Sequence, residues 1–184
     1  MKTTQHTDPW EHWVVDDFLS TECLAELLSI NHENPQENYG KRVSSTRLFI
    51  SPENKTNYPQ LSQLYDSLVN GDYRNYFENI TGSSFSDLYL RLEVISDVGD
   101  FYLEPHPDVP EKKLTALLYT DNHQGTSLYN GTTFSHNVES KLNRCMFFVP
   151  NPSTVHGYER TTFIKPRRCL LINYWTYGDE SQKI

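Results

Sequence analysis

The chain has 184 residues, a formal net charge of −8, 12 Tyr and 9 Phe, with a mean hydropathy of −0.65. That length fits one domain, 1–184, with a sizeable core, and the aromatic-rich yet polar composition points to a β-rich globular protein. The acidic excess disfavours nucleic acid and anionic membranes as partners, because neutralising phosphate needs Lys and Arg.

Cys23, Cys145 and Cys169 are odd in number and widely spaced, which excludes a disulfide framework and a CxxC metal site. Each lies in an apolar segment and is expected to be a small buried hydrophobe. The first ten residues contain no apolar h-region, and no run of the sequence is long enough to cross a membrane. The expectation is a cytoplasmic protein with no membrane partner.

In chain order, residues 1–9 read as a flexible tail and His12–Val15 as a short strand. Ser20 or Thr21 caps a helix whose apolar stripe is Cys23, Leu24, Leu27, Leu28 and Ile30, and which ends by Asn34-Pro35. Residues 31–58 read as a long loop or lid with one short strand, Arg47–Ile50. A second helical region runs from about Gln60 to Asn79 and breaks at Gly71. From Leu88 the pattern turns to short strands separated by turn signals: Leu88–Ser96, Leu114–Thr120, Gly125–Tyr129, Arg144–Val149 and Arg168–Trp175. Asp97–Asp100 reads as a turn. The fold class is mostly β with N-terminal helices, its strands forming a sandwich or barrel with the helices packed on one side.

The chemistry centres on Leu103-Glu104-Pro105-His106-Pro107-Asp108. In extended backbone His106 and Asp108 project from the same side. Together they make two thirds of the 2-His-1-carboxylate set that holds non-heme Fe(II). His156 is the best-placed third ligand, because it follows a buried strand and a Pro-containing turn and precedes Gly157. The polar surroundings of His6, His12, His32, His123 and His136 assign those side chains to the surface. A cation near the end of the chain, Arg167 or Arg168, can grip a carboxylate through two parallel hydrogen bonds. Strand alternation sends the two arginines to opposite faces, so only one can point inward.

His106-x-Asp108, then His156, then Arg167 resembles the motif of the Fe(II)/2-oxoglutarate-dependent dioxygenases. The spacing from His156 to Arg167, the Pro before Arg167 and the Gly after His156 are similar to the phytanoyl-CoA and ectoine hydroxylase branch. The run Leu114–Tyr119 resembles the prolyl hydroxylase branch. The resemblance covers about Leu88 to Trp175. It implies a double-stranded β-helix, or jelly roll, over about 88–176, with Fe(II) held by His106, Asp108 and His156. It also implies 2-oxoglutarate as cosubstrate, clamped at its far carboxylate by Arg167 with help from Tyr119, and O2 as oxidant. The implied reaction hydroxylates a polar small molecule, a sugar, or an amino-acid or peptide side chain, releasing succinate and CO2. The retained carboxylate of Asp108 argues against a halogenase. Two other readings remain open at this stage: a cupin-like metalloenzyme, which needs no terminal Arg, and a non-catalytic jelly-roll binding module.

Overall fold

The computed structural model describes residues 1–30, 45–98, 101–122, 124–160 and 166–176. The described residues contain eleven strands: β1 Lys2–His6, β2 His12–Asp16, β3 Ser45–Ile50, β4 Tyr89–Asp97, β5 Leu103–His106, β6 Lys112–Tyr119, β7 Thr126–Asn130, β8 Thr133–Val138, β9 Arg144–Phe148, β10 His156–Tyr158 and β11 Arg167–Trp175. They form a seven-stranded sheet ordered β1-β2-β9-β6-β11-β4-β3 and a four-stranded sheet ordered β5-β10-β7-β8, with every pairing antiparallel. Two antiparallel sheets of this connectivity give the expected jelly roll.

Strand alternation divides the large sheet into two unlike faces. Leu92 and Val94 of β4, Leu114, Ala116 and Leu118 of β6, and Leu170, Ile172 and Tyr174 of β11 join one buried apolar cluster. The helices α1 Thr21–Ser29, α2 Pro59–Asn70 and α3 Asp72–Thr81 cover that face through Leu27, Leu61, Leu64, Leu68 and Phe77. The α1 helix starts where expected, with Ser20 Oγ accepting from Cys23 N–H at 3.2 Å. The alternate residues of the same strands, among them Ile95, Asp97, Thr115, Leu117, Arg167, Cys169 and Leu171, line a cavity between the two sheets.

Several expectations need correction. The segment read as a tail contains β1, which pairs with β2 from Lys2↔Asp16 to His6↔His12. His12 is buried at 1% exposure, because β2 turns it inward onto Trp10 and between the rings of His6 and His136. Asp97, read as a turn residue, is the last residue of β4 and pairs across from Arg167. The short strand expected at Arg47–Ile50 is present as β3, which begins two residues earlier at Ser45 and forms an edge of the large sheet; a 3-10 turn follows at Lys55–Asn57. Residues 31–44, including His32, lie outside the described residues, as does His123. All three cysteines are free and buried, as expected.

Candidate metal centre

His106 and His156 meet because they are direct cross-strand partners, β5 against β10. Their ring centroids lie 4.8 Å apart. Gly157 permits this approach, since a Cβ there would come within 2.7 Å of the Leu103 carbonyl oxygen. Asp108 follows two residues after His106 on the same side. One ligand atom from each of His106, Asp108 and His156 lies within 4.8 Å of the other two.

Both imidazoles are held in the same manner. His106 Nδ1 lies 2.8 Å from the Glu104 carbonyl oxygen, and His156 Nδ1 lies 3.0 Å from that of Thr154. A carbonyl only accepts, so in each ring Nδ1 carries the proton and Nε2 carries the lone pair. The His156 pKa is lowered to about 4, chiefly by burial, so the ring is neutral and able to ligate at ordinary pH. Burial alone would raise the Asp108 carboxyl. The charge of Lys112 and hydrogen bonds from Lys112 and Thr115 outweigh it and hold the group below the usual carboxylate range. Lys112 Nζ donates to Oδ1 at 2.6 Å and Thr115 Oγ1 to Oδ2 at 2.7 Å. Two imidazole nitrogens and one ionised carboxylate on one side of a pocket fit a divalent iron, and among the described residues no other group of three such side chains converges.

The cavity beside these groups has a volume of about 100 Å³. Phe148, Leu117, Met146 and Tyr158 supply apolar wall, and Arg167 lies at its lining. The Arg167 guanidinium carbon sits 4.1 Å from the centroid of the Tyr158 ring, and its Nη1 donates to Asp97 Oδ2. Asp97 also accepts from Ser45 Oγ at 2.6 Å. Arg168 points the other way, its Nη1 3.3 Å from the Leu28 carbonyl oxygen on the helix side. Of the two arginines, then, Arg167 lines the cavity. Thr126 lines it too, and Tyr119 Oη lies 2.7 Å from Thr126 Oγ1. Burial pushes the Tyr119 hydroxyl up to about 12, so it stays protonated.

No protein-family model matches the sequence, and no curated protein matches it. Solved structures do. A prolyl hydroxylase from Trichoplax adhaerens, in complex with a hypoxia-inducible-factor peptide fragment, superposes with a TM-score of 0.60 at 15% identity, covering 90% of this chain and 83% of that one. HygX from Streptomyces hygroscopicus, with nickel and 2-oxoglutarate bound, gives 0.60 at 13% identity over 89% of this chain and 82% of that one. A member of the 2OG-Fe(II) oxygenase family from Burkholderia pseudomallei gives 0.54 at 11% identity over 83% and 75%. The fold is that of the 2-oxoglutarate/Fe(II) oxygenases. Within this oxygenase fold the triad sits on β5, the residues just after it, and β10, while Arg167 opens β11.

Asp97, Lys112, Thr115 and Tyr158 contribute to the site without having been singled out from the sequence. Lys112 and Thr115 were findable, because Lys112 stands four residues after Asp108 and Thr115 shares the inward parity of Tyr119. Asp97 was hidden by the turn-like string Asp97-Val98-Gly99-Asp100.

Proposed function

We propose that the protein is an Fe(II)- and 2-oxoglutarate-dependent oxygenase that hydroxylates a polar substrate. The observation that carries this reading is the convergence of His106, Asp108 and His156 at one end of a cavity whose lining includes Arg167.

The residues divide the work as follows. His106 and His156 present Nε2 lone pairs, each ring anchored at Nδ1 by a backbone carbonyl. Asp108 supplies the anionic donor, oriented by Lys112 and Thr115. Iron bound there supplies the meeting point for 2-oxoglutarate and O2, with succinate and CO2 released and one oxygen atom delivered to the substrate. Arg167 receives the far carboxylate of 2-oxoglutarate while Asp97 keeps the guanidinium in place, and Tyr119 steadies the same end through Thr126. Leu117, Met146 and Phe148 exclude water from the reacting end.

The substrate is a polar small molecule, a sugar, or an amino-acid or peptide side chain. Structures of this fold hold a peptide fragment in one neighbour and hygromycin B in another, so the scaffold accommodates both kinds. The test is aerobic incubation of iron-loaded protein with 2-oxoglutarate, alone and with a metabolite extract. Succinate release, with a mass gain of one oxygen on an extract component, is expected. No succinate under either condition from protein that binds iron would end this reading.

A further inference from the structure

The hairpin of β1 and β2 precedes the helices and the jelly-roll stretch, yet one of its side chains reaches the support of a metal ligand. Trp10 lies in the segment between the two strands and is 6% exposed. It joins Tyr119, Leu128, Val138, Met146 and Phe148 in an apolar cluster drawn from both sheets.

Two routes lead from Trp10 to His156. The first runs through the backbone. The indole Nε1–H donates to the Val155 carbonyl oxygen at 3.3 Å, and the Tyr129 amide donates to the same oxygen at 3.0 Å. A peptide unit is planar, so holding the Val155 carbonyl also holds the N–H and Cα of His156. The second route runs through rings. The indole packs on Phe148 with centroids 4.9 Å apart, and Phe148 meets the His156 imidazole edge-on at 5.0 Å. Trp10 is itself held by buried His12, whose Nδ1 lies 2.9 Å from the Trp10 carbonyl oxygen.

His156 stands at the end of a tight turn. The Thr154 amide donates to the Asn151 carbonyl oxygen at 3.1 Å, and the Asn151 amide to Thr154 Oγ1 at 3.0 Å. The bond from His156 Nδ1 to the Thr154 carbonyl fixes the ring relative to that turn, not the turn relative to the sheets. The pairings with β5 and β7 hold β10 itself. Trp10, 145 positions away in sequence, ties down the residue just before it.

We infer that Trp10 is a positioning residue for the metal centre: it holds the Val155–His156 peptide and the His156 ring in the orientation that converges on His106 and Asp108. This rests on the metal-dependent oxygenase reading and adds the N-terminal hairpin to the site. A residue that only fills the core would change stability and leave the ligand set as it is.

The test titrates Co(II) into the full chain under nitrogen and records both the affinity and the visible ligand-field bands. The parent is compared with Trp10→Leu, Trp10→Phe and Phe77→Ala, and urea unfolding gives the stability of each. Trp10→Leu removes both routes and is expected to weaken Co(II) binding roughly tenfold and to shift the bands. Trp10→Phe keeps a ring against Phe148 and lacks the N–H, and is expected to weaken binding about threefold, as for one lost hydrogen bond. Phe77→Ala, in the helix-side cluster, is expected to lose stability and keep the parent's affinity and bands. Parent affinity and bands in Trp10→Phe would overturn the inference, as would a Phe77→Ala chain weakened as much as Trp10→Leu. Should Trp10→Leu not fold, Trp10→Phe decides alone. If the parent binds no Co(II), the metal centre fails and this inference with it. If the parent binds and the Trp10 variants match it, this inference alone fails.

Discussion

Arg167 and Asp97 form a nearly solvent-free ion pair, at 7% and 1% exposure. Removing one partner strands the other, so Arg167→Met is expected to cost about 3–5 kcal/mol of stability. Adding Asp97→Asn is expected to recover a large part of that loss, as measured by urea unfolding. The milder Arg167→Lys keeps the charge but loses the forked geometry. It is expected to raise the 2-oxoglutarate concentration needed for half-saturation at least about tenfold, with metal affinity unchanged. His156 gives a second handle at this scale. Its folded pKa of about 4 lies below its ordinary 6.5, so between those values the unfolded chain binds more protons than the folded one. Stability of the metal-free chain therefore falls as pH drops through that window, by about 2 kcal/mol between pH 6.5 and pH 5. Buried His12, also lowered by burial, acts in the same sense. Unfolding curves at the two pH values check the sign. The ligands were legible in the sequence because H-x-D is a local pattern with a same-side geometry. Asp97 was not, because its meaning comes only from lying across β11 from Arg167.

Among the described elements, β10 is the shortest strand and is paired on both sides. Its three residues bridge β5 and β7, and His156 is in register with both His106 and Leu128. Gly157→Ala would press a methyl group against the Leu103 carbonyl, 2.7 Å away, and push β10 off β5. Metal affinity is expected to fall at least about tenfold, a loss like that from disturbing the groups that orient a ligand. Phe77 of α3 offers the contrast. It is fully buried against Phe18, Tyr76 and Phe147, in the core on the helix-covered face of the sheet. Phe77→Ala is expected to cost about 3–5 kcal/mol in unfolding while leaving the metal stoichiometry intact. The helices and central strands were legible from their periodicity. The strands β1 and β8 were not, since Lys2–His6 and Thr133–Val138 are polar and mostly exposed. What makes them strands is pairing with β2 and β7, which no local pattern announces.

Across the whole molecule, the large sheet separates two environments. One face is apolar and covered by helices; the other carries Asp97, Arg167, Glu93, Arg47 and Thr115 toward the site. Strand alternation makes both from the same strands, so the rigidity of the helix side fixes the positions of the charges on the other. Metal that binds only the folded chain must raise its stability, by about 2.7 kcal/mol at a hundredfold excess over Kd. The melting temperature is expected to rise with metal, to fall back with a chelator, and to respond to neither in Asp108→Ala. The central claim is that His106, Asp108 and His156 assemble a metal-dependent 2-oxoglutarate site with Arg167. Calorimetric titration of 2-oxoglutarate into the chain, with and without a divalent metal and under nitrogen, tests it most directly. Binding at one equivalent to the metal-loaded chain, absent without metal and absent in Asp108→Ala, is the expected result. Binding of equal strength to the metal-free chain, or to metal-loaded Asp108→Ala, would contradict it.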